Sequence, residues 1–217
     1  MKFIPHLLAC SLFSASAAFA LTPNYQTFGD LSGATFGGSG IPTDPTAFSV
    51  FSDQGRTVTI GLTAHQRYSN PALTNDGAGT FFATPGTNNG TPNQIGTTAT
   101  WNFAYYVSVS GPVGSIVTLA SYDFRLDYEF NPASGSASGF GTLNLNTIGG
   151  LGTIVQGSEN PTFGYLGMNI PSLVSAPADV FNPNALGEYS FRLRVSPSAL
   201  SPNSQLNNYA RVSNVGG

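Results

Sequence analysis

The stretch that decides the fold covers residues 100–130 and reads TWNFAYYVSVSGPVGSIVTLASYDFRLDYEF. In its first half, apolar residues share one parity: Trp101, Phe103, Tyr105, Val107 and Val109. In its second half they again take every second position: Tyr122, Phe124, Leu126, Tyr128 and Phe130. Since successive side chains of a strand point to opposite faces, this period of two is typical of half-buried β-strands. The break at Gly111-Pro112-Val113-Gly114 predicts that the two runs form an antiparallel hairpin.

Further strand signals extend on both sides of this stretch. Residues 47–51 and 57–62, separated by Asp53-Gln54-Gly55, predict a second hairpin. Shorter alternating or β-branched runs predict strands over residues 79–84, 140–147, 152–156 and 188–195. No window carries the 3.6-residue period of a long amphipathic helix. We therefore predict an all-β fold, a single antiparallel β-sandwich of jelly-roll or Greek-key type with long Gly/Asn/Ser/Thr loops.

The polar segments complete this prediction. Residues 21–40 are weakly patterned and are expected to form an N-terminal arm or edge strand. Residues 85–96 and 131–139 are expected to be exposed loops, because they are rich in Gly, Asn, Ser and Pro. Residues 160–177 contain three prolines and are expected to be irregular.

The N-terminus has the pattern of a secretory signal peptide. Lys2 precedes a short apolar run, and Ala18-Phe19-Ala20 supplies small residues at the expected cleavage site. We expect residues 1–20 to be removed, which leaves residues 21–217 as one secreted domain without a membrane span. The alternative, a lipoprotein acylated at Cys10, is weaker because the apolar run continues past this cysteine. Cys10 is the only cysteine, so the exported domain has no disulfide.

The charge of the chain is low and slightly acidic. Seven Lys and Arg residues face ten Asp and Glu residues, which gives a formal net charge of −3. Without a basic patch, nucleic acid and anionic membrane surfaces are not expected as partners. The same low charge leaves little repulsion to oppose self-association.

Several motifs occur in order along most of the exported chain. They are residues 34–42 (ATFGGSGIP), 62–71 (LTAHQRYSNP), 74–80 (TNDGAGT), 101–103 (WNF), 157–160 (GSEN) and 181–185 (FNPNA). In these motifs the chain resembles PEP-CTERM proteins, the exosortase-sorted secreted proteins of bacteria. The resemblance implies a β-rich ectodomain at the cell surface or in the extracellular matrix of a biofilm, and it implies no established activity and no known catalytic residues. The sequence ends at Gly216-Gly217 without a Pro-Glu-Pro motif, so either a truncated tail or release without sorting is expected.

The strongest candidate site in the sequence is acidic. Asp123, Asp127 and Glu129 are expected to share the outer face of one strand with Arg125. They are candidates for a calcium site, and Asp127 and Glu129 are candidates for a glycosidase acid–base pair. The competing interpretation, which we favour, is a solvated strand face on which Arg125 bridges like charges.

Two further residues are candidates for single roles. Tyr106 is the aromatic residue on the polar parity of its strand, so it is expected to face outward, where it could stack on a sugar ring. His65 is the only histidine after the signal segment. A Ser-His-Asp triad would have to use it, but a structural histidine with a local hydrogen bond is the better expectation. One histidine without cysteine does not suit zinc, and no cofactor is expected.

Two turn motifs also admit two interpretations. The Thr74-Asn75-Asp76-Gly77 and Asn182-Pro183-Asn184 sequences could offer oxygen ligands to calcium, or they could simply form turns, which Asn and Asp favour. We favour turns.

Taken together, the sequence predicts a non-enzymatic secreted protein of the cell surface or extracellular matrix. Self-association or contact with extracellular polysaccharide is the expected activity. The alternatives are a carbohydrate-binding module and, third, a polysaccharide hydrolase.

Overall fold

A computed structural model describes residues 24–68, 71–88, 97–133, 139–199 and 206, and the backbone of residues 208–216. The predicted signal segment, residues 1–20, lies outside the described residues, as do residues 89–96 of the first predicted long loop. The described chain is all-β, with one short α-helix, α1 (Leu145–Gly149), and two 3-10 turns, Leu119–Ser121 and Gly164–Gly167.

In chain order the strands are β1 (Thr27–Gly29), β2 (Thr46–Asp53), β3 (Arg56–Gln66), β4 (Thr74–Asn75), β5 (Thr80–Phe82), β6 (Thr87–Asn88), β7 (Thr98–Ala99), β8 (Trp101–Ser110), β9 (Tyr122–Tyr128), β10 (Gly141–Asn144), β11 (Ile154–Glu159), β12 (Val174–Ser175), β13 (Glu188–Pro197) and β14 (Asn208–Gly216). They form a five-stranded sheet in the order β1-β2-β3-β8-β11 and a seven-stranded sheet in the order β12-β10-β9-β13-β14-β5-β4. The β6 and β7 strands make a separate two-stranded ribbon. Most pairings are antiparallel, whereas β5 and β14 pair in parallel.

The predicted β2–β3 hairpin is confirmed. Its strands pair from Ala47 with Leu62 to Asp53 with Arg56, around a turn at Gln54 and Gly55. Both turn residues have positive φ, 51° and 76°, as a two-residue hairpin turn of this kind requires.

The predicted hairpin between β8 and β9 is wrong. The β8 strand lies in the five-stranded sheet between β3 and β11, and β9 lies in the seven-stranded sheet between β10 and β13. Residues 111–121 carry the chain from one sheet to the other, and the two alternating runs meet face to face. Phe103 of β8 stacks on Tyr128 of β9 with ring centroids 6.4 Å apart. Alternation therefore identifies two inner faces correctly, but it cannot distinguish pairing within a sheet from packing across a sandwich.

The core between the two sheets is built from these inner faces. Every apolar residue of the two runs is buried at 4% exposure or less, including Trp101 at 4%. Aromatic rings dominate the contact: Phe103 lies 4.7 Å from Phe191 of β13 between ring centroids, and Trp101 meets Phe191 edge to face at 6.1 Å. The domain thus depends on packing across the sandwich, since the chain has no cysteine after Cys10.

A second, smaller cluster lies on the other side of the five-stranded sheet. The segment before β2 crosses this face and buries Leu31, Ala34 and Phe36 against Ala104 and Tyr106 of β8. The polar parity of β8 is therefore also buried, and the five-stranded sheet is covered on both faces near its centre. The predicted arm is confirmed, with β1 as its edge strand.

The remaining strand predictions differ from the structure mainly at their ends. The strand predicted over residues 140–147 ends at Asn144, whose side-chain oxygen accepts a hydrogen bond from Asn146 N at 3.1 Å and begins α1. The strand predicted over residues 152–156 is β11, and the strand over residues 188–195 is confirmed as β13. None of the helices in the described part of the chain has the length and apolar character needed to cross a membrane.

Candidate functional site

The acidic strand face predicted on β9 is an ion-pair network around Asp127, which is only 1% exposed. Arg192 donates from Nε to Oδ2 of Asp127, and its Nη2 lies 2.6 Å from the same oxygen. Arg194 donates from Nε to Oδ2 at 2.6 Å and from Nη2 to Oδ1 at 2.8 Å. The Thr142 hydroxyl donates to Oδ1 at 2.9 Å, and the Arg192 guanidinium lies 4.9 Å from the centre of the Phe140 ring. Both carboxylate oxygens are thus occupied by protein donors.

The other two predicted acidic residues do not join Asp127. Asp123 forms an exposed ion pair with Arg125 at 2.8 Å, while Glu129 is 1% exposed. The expectation of a solvated face is therefore wrong for Asp127 and Glu129 and holds for Asp123. Within the described residues, no group of three or more His, Cys, Asp or Glu side chains could hold a metal ion. The arginines of β13 decide this outcome, because their strand pairs directly with β9.

The expectation that Tyr106 faces solvent is wrong. Its side chain is 7% exposed, because the segment containing Leu31, Ala34 and Phe36 covers it. The ring therefore does not present a face on which a sugar in solution could stack.

His65 lies at the centre of a buried hydrogen-bond network at the end of β3 and is 1% exposed. Its Nδ1 lies 2.8 Å from the Gln66 carbonyl oxygen, which can only accept, so Nδ1 carries the proton and Nε2 accepts from the Ser158 hydroxyl at 2.8 Å. Asn102 Nδ2 in turn donates to Ser158 Oγ at 2.9 Å. Burial lowers the pKa of His65, and the positive charge of Arg67 lowers it further, against the hydrogen bond to Gln66, which raises it. The expected local hydrogen bond is confirmed, and the imidazole is held neutral.

Asn160 extends this network and is fully buried. Its Nδ2 donates to the carbonyls of Ala99 and Trp101 at 3.0 and 2.9 Å and to Asn102 Oδ1 at 2.8 Å. Its Oδ1 accepts from Ala99 N at 3.0 Å and from Thr162. The sequence pattern assigns no role to Asn102, Ser158 or Asn160. The alternation gives one signal of such a role, because Asn102 is a polar residue on the strand face opposite the aromatic residues of β8. Its hydrogen-bond partners, however, are 56 and 58 positions away in sequence.

The network continues into charged groups beside the core. Burial raises the pKa of Glu159. The hydrogen bond with the Tyr165 hydroxyl and the nearby positive charge of Arg67 act in the opposite direction and lower this pKa in part. The Arg67 guanidinium lies 4.9 Å from the ring centre of Tyr68 and 5.3 Å from that of Phe163. A Ser–His contact can transfer a proton in acyl-transfer enzymes. Here the contact forms part of a set of hydrogen bonds that satisfy buried polar groups, which favours a structural role.

Both turn motifs are turns. Asn75 Oδ1 accepts from Gly77 N at 3.0 Å, and Asp76 Oδ1 accepts from the backbone of Ala78 and Thr80 at 2.7 and 2.9 Å. Asn182 Oδ1 accepts in the same way from the backbone two residues later, at 3.0 Å. The side-chain oxygens thus stabilise the local backbone.

The cavity best suited to a ligand lies where β3 ends and β8 begins. This cleft has a volume of about 410 Å3. Its described lining comprises Gln66, Ala72, Leu73, Thr74, Phe82, Thr84, Asn88 and Thr100. Five of these residues are polar and none is charged, and the Phe82 ring is 49% exposed. The volume falls within the range of small-molecule sites, and the lining offers amide and hydroxyl groups beside an aromatic surface.

A second groove, of about 350 Å3, lies on the seven-stranded sheet beside β10 and β12. Its polar side chains are largely engaged within the protein. Asn144 Nδ2 donates to Ser172 O at 2.9 Å, Asn169 Oδ1 accepts from Ala176 N at 2.9 Å, and Arg125 pairs with Asp123. In the cleft the Thr100 hydroxyl likewise donates to Thr84 O, but its described lining has no charged residue and includes the half-exposed Phe82, so the cleft is the better candidate site for a neutral ligand. Sequence reasoning misses it because its residues come from several separate segments between positions 66 and 100.

Fold and site together define an all-β sandwich with a neutral polar cleft at one end. No protein-family model, curated protein or solved structure matches this chain.

Proposed function

We propose that this is a non-enzymatic secreted protein that contacts neutral extracellular polysaccharide through the cleft lined by Gln66 and Phe82. The observation that carries the proposal is the combination of an exposed aromatic ring with uncharged polar side chains in one cleft. The apolar face of a sugar ring packs on an aromatic surface, and its hydroxyls pair with amides and hydroxyls. A charged polymer would gain no ion pair from this lining.

Two observations favour binding over hydrolysis. Both oxygens of Asp127 are bound by arginine side chains or Thr142, so this carboxylate is poorly placed as a general acid or base. Asp123, the more exposed acid on the same strand, pairs with Arg125 on β9, and neither residue lines the cleft. Secretion is supported by the N-terminal sequence pattern, and association with the matrix by the resemblance of the chain to PEP-CTERM proteins.

The test is retention of the purified protein on immobilised neutral and acidic polysaccharides. Wild type should be retained on a neutral polymer. Phe82→Ala should weaken retention about two- to tenfold, as loss of an aromatic contact of about 0.5–1.5 kcal/mol implies. Gln66→Ala should weaken it as well, by removal of one amide.

The matched control is Val50→Ala, which removes an apolar group of similar exposure, 42%, from a strand that does not line the cleft. Its retention should equal that of wild type. Wild-type protein that passes through every column, or Phe82→Ala retained like wild type, would contradict the proposal. Release of reducing ends from the polymer would favour the hydrolase alternative.

A further inference from the structure

Two loops lie side by side at the end of the sandwich where β8 ends and β11 begins. Residues 111–118 follow β8, and residues 148–154 lead into β11, which pairs with β8. The Leu119 backbone N–H donates to Gly152 O at 2.8 Å, which joins the two loops at their bases. Both segments therefore lie at the same end of the sandwich.

This end of the sandwich is unusually apolar for loop tips. Five aliphatic residues of the two segments are exposed, and we call them the end patch: Val113 at 107% exposure, Ile116 at 93%, Leu151 at 80%, Ile154, the first residue of β11, at 47% and Ile148 of α1 at 45%. Together they expose roughly 600 Å2 of apolar surface, the upper end of the range for the largest apolar patch on a typical monomer. Patches of this size usually mark an interaction site.

The charge of these loops indicates what the patch meets. Residues 111–121 and 145–158 contain no Asp, Glu, Lys or Arg. A two-fold contact brings the same surface of both copies together, so a charge close to the axis would meet its like. The residues of the two segments themselves carry none. Contact with an anionic lipid surface relies on Lys and Arg, which these loops lack.

We propose that the end patch is the contact surface for a second copy of this chain. A standard interface buries about 800 Å2 on each partner, so the patch can supply most of the apolar centre of such a contact. The low net charge of the whole chain, −3, opposes this association only weakly. The proposal rests on the loops alone and does not require that the cleft binds sugar.

The cleft and the end patch lie at opposite ends of the same strands. Gln66 ends β3 and Trp101 begins β8 at the cleft, whereas Arg56 and Ser110 mark the other ends of these strands. Ten strand residues span about 33 Å. A pair of molecules joined through the end patch therefore keeps both clefts open and directed away from each other.

The test is sedimentation velocity of the purified protein over a concentration series from low to high micromolar. Wild type should show a reversible monomer–dimer equilibrium. The double variant Ile116→Ser, Leu151→Ser should dimerise at least tenfold more weakly. Both side chains are largely exposed, so the melting temperature should stay close to that of wild type. A single Leu151→Asp variant, which would place like charges across the contact, should behave in the same way.

Two controls make the outcome specific. Val180→Ser removes an aliphatic residue that is 90% exposed and lies outside the patch, and it should dimerise like wild type. Phe82→Ala should also dimerise like wild type, so that failure of the sugar-binding proposal and failure of this one can be told apart. A wild type that stays monomeric throughout, or patch variants that dimerise normally, would overturn the proposal. If wild type forms no dimers but floats with phosphatidylcholine vesicles, and the patch variants do not float, the patch would instead be assigned to a lipid surface.

Discussion

Replacement of Asp127 by Asn tests the electrostatic account of the seven-stranded sheet most directly. The change keeps the size of the side chain and an oxygen that can accept from Thr142, but it removes the charge that holds Arg192 and Arg194. Removal of one partner from a buried ion pair costs about 3–5 kcal/mol, because the remaining charge is left uncompensated. The two arginine side chains are 24% and 34% exposed, so water relieves part of this penalty. We therefore expect a loss of about 3 kcal/mol in the free energy of unfolding.

The chain supplies a matched control two pleats earlier on the same strand. Asp123 pairs with Arg125, and both side chains are about one-third exposed, 36% and 32%. Asp123→Asn should therefore cost no more than about 0.5 kcal/mol. Urea unfolding followed by tryptophan fluorescence measures both variants, and an unchanged slope with a lower midpoint identifies a true loss of stability.

A second change probes the source of the loss. In the Asp127→Asn background, Arg194→Gln removes one uncompensated cation and should recover part of the stability, as a double-mutant cycle would reveal. If Asp127→Asn unfolds within about 0.5 kcal/mol of wild type, the carboxylate is solvated as the sequence alone suggests. In that case our account of the network is wrong.

Two other predictions concern the core and the buried histidine. Trp101→Ala should cost about 3–5 kcal/mol, because it empties a site packed against Phe181 and Phe191, and circular dichroism melts will measure it; a shift of one or two degrees would contradict the packing described here. Burial lowers the pKa of His65 in the folded protein below its unfolded value of about 6.5. As the pH falls, the unfolded chain therefore takes up the proton first, and the stability that neutral His65 contributes above about pH 6.5 is lost. Between about pH 7 and pH 5 wild type should therefore lose stability relative to His65→Gln. Burial raises the pKa of Glu159, so this residue contributes in the opposite direction, and the comparison of the two proteins cancels its contribution. Parallel pH profiles of stability for the two proteins would refute the prediction.

The sequence allows the strands and their inner faces to be predicted, because alternation depends only on neighbouring residues. The order of strands in the sheets cannot be predicted in the same way. The β8 and β9 strands have equally strong patterns, and only the long segment between them, residues 111–121, hints that they face each other across the core. A local pattern also cannot show that a polar face is covered, which is why the expectation for Tyr106 is wrong.

The candidate site is even harder to predict from the sequence than the fold is. Asp127 resembles a solvated acid because its strand neighbours are Asp123 and Arg125, yet its partners arrive from β13, 65 and 67 positions later. The cleft combines residues that carry no catalytic or metal-binding signature, so no motif could point to it. Long-range pairing, rather than residue type, decides both outcomes.

The segment that covers Tyr106 has a consequence for the order in which the chain folds. The backbone N–H groups of Thr35 and Phe36 are fixed by the side-chain oxygen of Gln156, at sequence separations of 121 and 120 residues. Closing so long a loop carries a large entropy cost, and the contacts that offset this cost form only when β11 is in place. The segment therefore leaves the ribosome early but docks late: Phe36 waits for Ala104 and Tyr106 of β8, and its backbone N–H waits for Gln156. Any chaperone that accompanies the unfolded chain would find an exposed apolar target in residues 31–36 until these partners are in place.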